Sequence, residues 1–254
     1  MPEISDMSSR IMLFPLKFVI MIFLMTFISD KVQASVTILG SRIIYPGNAL
    51  SVDVQLRNND KIPYVIQTWF DNGNVDSQPG QKSDAPFIVT PPLFRIQPLT
   101  GQVLRIRFTP EVSLPQDRET VYWFNSLQIP PANIQGESGG NSMVLMLRNR
   151  MKLFYRPREI GQPGDIFDGI KITVKQDGVE INNAKPWFLS LTDVAIKTAG
   201  KKTDCEADMI APFSKKIVRC KAATQSLPAN SVISLSAMND QGAKVSENYP
   251  AAVW

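Results

Sequence analysis

The feature that most constrains this 254-residue chain is a two-residue rhythm of apolar and polar side chains, cut short repeatedly by proline, glycine and Asn/Asp turns. Leu50, Val52, Val54 and Leu56 alternate with Ser51, Asp53, Gln55 and Arg57, and Leu104, Ile106 and Phe108 alternate with Arg105 and Arg107. Successive side chains of a strand point to opposite faces, so this rhythm predicts strands with one face buried and one in water. Further β-rich runs cover residues 36–45, 65–70, 87–90, 120–129 and 143–155, bounded by Asn58-Asn59-Asp60, Asp71-Asn72-Gly73 and Pro91-Pro92. About seven short strands in roughly 120 residues is what an immunoglobulin-like sandwich requires. With 19 Pro and 14 Gly, turn-rich β structure is favoured over long helical arrays.

The rhythm breaks from Arg156-Pro157 to Gly161-Gln162-Pro163-Gly164 and resumes at residues 170–174, 187–196, 215–220 and 232–237. The expected fold is therefore all-β, two immunoglobulin-like sandwiches in tandem, with residues 35–157 in the first domain and 158–254 in the second. Residues 11–28 are almost uninterruptedly apolar and are followed by Val32-Gln33-Ala34, with small residues at the minus-three and minus-one positions. This predicts a cleaved secretory signal over residues 1–34 and no stable membrane insertion afterwards. A membrane-spanning anchor is the alternative, against which Lys17 and Pro15 count.

Chemistry is narrowed by one absence. The chain has no histidine, which removes Ser-His and Cys-His dyads, His-ligated zinc and His proton shuttling together. A hydrolase would need an acid pair, and Asp117 with Glu119 or Asp204 with Glu206 sit where turn or interface charges are expected; no enzyme, metal or cofactor is assigned. The net charge of +4 arises from 27 bases and 23 acids scattered along the chain, without the dense basic stripe that nucleic acid demands. Cys205 and Cys220 both follow the signal, and an oxidising compartment favours one bridge closing a loop of 16 residues, a pair of buried thiols being the alternative.

Several spaced motifs carry a family resemblance. Residues 114–125, LPQDRETVYWFN, followed by Ile129-Pro-Pro131, resemble the signature of PapD-like periplasmic pilus-assembly chaperones. Residues 151–157, MKLFYRP, are similar to the last strand of that family's first domain, and Thr90-Pro-Pro92 with Arg95, Ile96 and Pro98 to its proline-bounded segment. Met209-Ile-Ala-Pro-Phe213 and Asn239-Asp240 fit its second domain, while Ser126 and Asn183-Ala-Lys-Pro186 depart from its pattern. The resemblance implies a boomerang-like arrangement with an interdomain cleft, a periplasmic location, and two partners: pilus (fimbrial) subunits and an outer-membrane usher. It implies that Arg42 and Lys152 grip the subunit's terminal carboxylate, and that Glu119, Arg156 and Asp240 form an interdomain ion network. The loop between Pro131 and Asn141 is short, polar and free of cysteine, as in the short-loop subclass of these chaperones.

The residues support a mechanism of their own. Residues 142–155 would make a strand of about 14 residues, roughly 45 Å long, opening on Met143, Leu145 and Leu147. At a sheet edge these three offer apolar knobs beside an unpaired row of backbone donors and acceptors, the geometry for donating a strand to an incomplete immunoglobulin-like subunit. Lys152 has the opposite parity to Leu147, which leaves a bulge between them open. Self-capping of the same strand in a homodimer is also open. Rival readings are an exported pilus subunit or adhesin, and a generic two-domain binding module.

Overall fold

The computed structural model describes residues 35–110, 112–131, 144–198, 201–221, 227–228 and 230–251. The expected signal over 1–34, Met143 and most of the loop after Pro131 lie outside the described residues. The first half of the chain forms β1 (Val36–Ile38), β2 (Arg42–Pro46), β3 (Val52–Asn58), β4 (Tyr64–Asp71), β5 (Phe87–Thr90), β6 (Leu93–Ile96), β7 (Gly101–Phe108), β8 (Thr120–Ile129) and β9 (Leu147–Arg156). They build two sheets, ordered β1-β3-β7-β5 and β2-β9-β8-β4-β6. The rhythm of β3 is realised as expected: Val54, Leu56 and Asn58 are buried while Asp53, Gln55 and Arg57 face solvent. Between the sheets lies a core of Leu56, Ile66, Leu104, Ile106, Phe124 and Leu153, each excluded from water and worth about 1.5–3 kcal/mol of apolar transfer.

The second half forms β10 (Lys171–Lys175), β11 (Gly178–Asn183), β12 (Leu189–Thr198), β13 (Lys201–Cys205), β14 (Met209–Ile210), β15 (Ser214–Arg219), β16 (Val232–Met238) and β17 (Lys244–Pro250). One sheet runs β10-β11-β15, the other β13-β12-β16-β17 with β14 on β12. A separate core of Val179, Ile181, Val194, Ile210, Ile233 and Leu235 fills the space between them. The chain is thus a tandem of two immunoglobulin-like sandwiches. Cys205 and Cys220 are disulfide-bonded, tying the end of β13 to the end of β15 and so one sheet to the other.

Three expectations need correction. The opening run is not one strand: β1 pairs antiparallel with β3, whereas β2 pairs parallel with β9 in the other sheet. Gly40, in the left-handed region at φ 96°, makes the crossing between them, a conformation that any side chain would strain. Leu50 is not part of the buried stripe but 93% exposed, because β3 begins only at Val52. The long final strand is shorter than 14 residues: β9 starts at Leu147, and Val144, Leu145 and Met146 are exposed and outside any strand. The reason is that its partner stops. Leu147 pairs with Gln128, and one residue later β8 runs into Pro130-Pro131, which have no amide hydrogen with which to extend the ladder.

Candidate functional site

Strand β9 is the axis of the site. On one side it pairs with β8 in unbroken register from Gln128↔Leu147 to Thr120↔Tyr155, so no bulge intervenes between Leu147 and Lys152. Its odd-numbered residues face the interior, where Met151, Leu153 and Tyr155 join the core, and Leu147 continues that row to an exposed position. Its even-numbered residues Arg148, Arg150, Lys152, Phe154 and Arg156 lie on the outer face. On its other side β9 has a partner only from Lys152 onward, where β2 runs alongside it from Arg42↔Lys152 to Pro46↔Arg156. Residues 147–151 have no strand on that side among the described residues. The vacancy follows from the crossing at Gly40, which diverts β1 to the opposite sheet. Gln128 holds β1 there, donating from Nε2 to the Val36 carbonyl at 2.8 Å.

At the point where the vacancy meets β2 stand two cations. Arg42 and Lys152 are register partners on adjacent parallel strands, and no carboxylate reaches salt-bridge distance of either among the described residues. The Arg42 guanidinium donates from Nη1 to the Met238 carbonyl of the second sandwich at 3.0 Å and lies 5.8 Å from the Phe154 ring centroid. Lys152 Nζ sits 5.4 Å from the centre of the Trp123 ring. Burial pushes the Arg42 guanidinium below its ordinary value despite the fields of Asp240 and Glu119. Burial, and then the like charge of Arg42, push the Lys152 ammonium down, with Asp208 opposing. Two partly desolvated cations side by side, with no ion-paired carboxylate among the described residues, offer charge that complements an anion such as a carboxylate.

Where the two sandwiches meet, Arg156 presents its planar fork to two carboxylates. Its Nε donates to Glu119 Oε1 at 2.8 Å, while Nη1 and Nη2 donate to the two Asp240 oxygens at 2.7 and 3.0 Å. Glu119 is itself shared: its Oε2 accepts from the Phe188 amide at 2.8 Å, and its own amide donates to the Pro186 carbonyl at 2.9 Å. Burial pushes the Glu119 carboxyl up, opposed by Arg156 and the Phe188 amide. The neighbouring Asp117 is exposed and paired with Arg118, and Asp204 is bound by Lys202, so neither proposed acid pair forms a shared site. Arg118 also stacks 5.1 Å from the Phe213 ring, a further link across the junction.

One group of residues escaped sequence reasoning. Asp71, at the end of β4, is 3% exposed and receives hydrogen bonds from Arg150 Nη2 at 2.6 Å, Asn125 Nδ2 at 2.7 Å and Ser77 Oγ at 3.2 Å. Arg148 in turn donates to Asn125 Oδ1 at 2.8 Å, Ser77 Oγ at 3.1 Å and the Val75 carbonyl at 2.8 Å. Each arginine also lies against a tryptophan, Arg148 at 4.9 Å from Trp69 and Arg150 at 4.1 Å from Trp123. The available signal was the parity of Trp69 and Asp71 with Trp123 and Asn125 on neighbouring outward faces.

Comparison with known proteins places this geometry. The family described as pili and flagellar-assembly chaperone, PapD N-terminal domain, matches residues 35–161, and that described as pili assembly chaperone PapD, C-terminal domain, matches residues 165–249. A probable fimbrial chaperone, YadV of Escherichia coli strain K12, is 34% identical over 232 residues, 88% of this chain and 92% of its own. The chaperone protein MrkB of Klebsiella pneumoniae is 32% identical over 207 residues, 81% of this chain and 87% of its own. Among solved structures, the YadV chaperone superposes with a TM-score of 0.72 at 30% identity over 85% of this chain and all of that one. The CupB2 chaperone of Pseudomonas aeruginosa gives the same score and coverage at 27% identity. Two sandwiches matched end to end, with sequence and structure agreeing, establish that this chain belongs to the PapD family of pili assembly chaperones.

Proposed function

We propose that this protein captures pilus subunits by strand addition along the free edge of β9, shields their own unpaired edges from aggregation, and hands them to an outer-membrane usher without a catalytic step. The observation that carries the reading is the coincidence of a vacant edge over residues 147–151 with the unpaired cations Arg42 and Lys152 at its end. A subunit whose terminal carboxylate is held by those cations runs parallel to β9, in line with β2 and upstream of it. The carboxylate fixes the register, and a slip of one residue would turn every apolar side chain to the wrong face. Leu145 and Leu147, 63% and 46% exposed, supply apolar surface left open among the described residues, and Met143 extends the series in sequence.

Three such side chains yield roughly 5–9 kcal/mol on burial, against an association cost of about 4–15 kcal/mol. Two charge-assisted anchors of about 1.5–3 kcal/mol each close the difference. In this reading residues 1–34 are an export signal removed on entry to the periplasm, residues 35–157 are the capturing domain, and residues 158–254 complete the cleft. A second copy covering the same edge would serve as a cap when no subunit is present. The test is co-purification: a tagged chaperone, co-expressed in the periplasm with a pilus subunit, retains it, while Arg42→Ala and Lys152→Ala do not. Retention of wild-type amounts by both variants overturns the anchor.

A further inference from the structure

Free strand edges in soluble proteins are commonly blunted by long charged side chains that fold over the exposed backbone. The vacant edge of β9 carries two candidates for that role, Arg148 and Arg150, on the strand itself. Neither plays it. Both guanidinium groups are drawn the other way, across β8 toward β4, a distance of two strand spacings or roughly 10 Å. Arg150 ends on Asp71. Arg148 ends on the Val75 carbonyl and on Asn125 and Ser77, the last two of which are each oriented by a bond to the same Asp71 carboxylate. The faces of Trp69 and Trp123 form the floor over which the two side chains lie.

We propose that Asp71 is a positioning residue for subunit capture: by holding Arg148 and Arg150 on the β8 side of their strand, it keeps the docking edge of β9 clear. Resting on the strand-addition reading above, this adds a residue that touches no subunit. Without Asp71, Arg150 loses its acceptor, Asn125 and Ser77 lose the carboxylate that orients them beneath Arg148, and the two guanidinium groups repel each other. The backbone carbonyls of the vacant edge are then open acceptors within reach of an arginine side chain. The arginines would occupy the row that an incoming strand needs.

The logic predicts rescue, which a merely structural role does not. The probe is a fluorescent 12-residue peptide alternating valine and threonine and ending in a free carboxylate, with its amidated form as the reference for the anchor. Binding is read by anisotropy, and folding of every variant by circular dichroism and urea midpoint. Wild type and Arg148→Ala/Arg150→Ala should bind alike; Asp71→Ala, and Asp71→Asn where the alanine variant does not fold, should bind about tenfold more weakly, the equivalent of about 1.4 kcal/mol. The triple variant Asp71→Ala/Arg148→Ala/Arg150→Ala should return to within about threefold of wild type, although it has lost more contacts. Unchanged binding in a folded Asp71 variant, or a loss that the triple variant fails to restore, overturns this proposal alone. Failure of the wild-type protein to bind the peptide overturns the strand-addition reading and this proposal with it.

Discussion

Arg42 and Lys152 face each other across two parallel strands as direct register partners, two cations pressed together and partly out of water. Such an arrangement opposes folding, since like charges directly opposite in a sheet are destabilising. Replacing either by methionine should therefore raise stability by about 0.5 kcal/mol while abolishing subunit capture, with urea denaturation and co-purification run on the same variants. A fall in stability with capture intact would contradict the assignment.

The pH dependence has a definite sign. Lys152 is depressed below its ordinary value of 10.5, so the unfolded chain binds more protons than the folded one between the two values. Stability accordingly rises as pH increases through the folded value, while capture of a carboxylate falls because the ammonium is lost. Lys152→Arg should keep capture flat across that alkaline window. A wild-type capture curve coincident with that of Lys152→Arg would exclude the lysine as the titrating group.

At acid pH the relevant group is Asp71. Burial raises its carboxyl, but the bonds from Arg150 and Asn125 and the Gly73 amide outweigh this and hold it below 3.8. A depressed acid contributes stability that is complete above the unfolded value and is lost as pH falls through the folded one. Asp71→Asn should lower stability at neutral pH and flatten its decline in the acid window, as read from thermal midpoints between pH 2 and 5.

Arg156 should be the costliest charge to remove. With Arg156 8% exposed and Glu119 3%, Arg156→Ala leaves a buried carboxylate without its partner, a loss of about 3–5 kcal/mol. Arg105→Ala, which breaks an ion pair to Asp53 with both members about half exposed, should cost under about 1 kcal/mol. Comparable urea midpoints for the two variants would show that the fork does not hold the sandwiches together.

Leu145→Glu and Leu147→Glu separate capture from folding. Both residues are exposed in the free protein, so the substitutions should leave the thermal midpoint unchanged while each removes about 1.5–3 kcal/mol of apolar burial from the complex. Loss of thermal stability on substitution would mean that these side chains already have a place within the chain.

Much of the fold was legible because alternation reports a half-buried face directly, as in β3 and β7. Strand β17 was not, since its sequence KVSENYP lies at a sheet edge, is mostly exposed and needs no apolar period. The split of the opening run into β1 and β2 was hidden for another reason: both halves read as strand, and which sheet each joins is decided by one glycine and by the Gln128 side chain. The start of β9 was misread because a ladder ends where its partner ends, a property of Pro130-Pro131 rather than of residues 142–146. Arg156 and its two acids became visible only through family resemblance, for nothing in a sequence brings residues 119, 156 and 240 together. Asp71 was passed over as a turn residue, because its burial comes from side chains that reach it across two strands.

The crossing at Gly40 has a last consequence. Because its leading segment is committed to β3, the molecule cannot seal its own seam by sliding that segment back beside β9 without tearing three residue pairs from the opposite sheet. Among the described residues the gap is therefore built into the architecture, and in the strand-addition reading its relief comes from a partner.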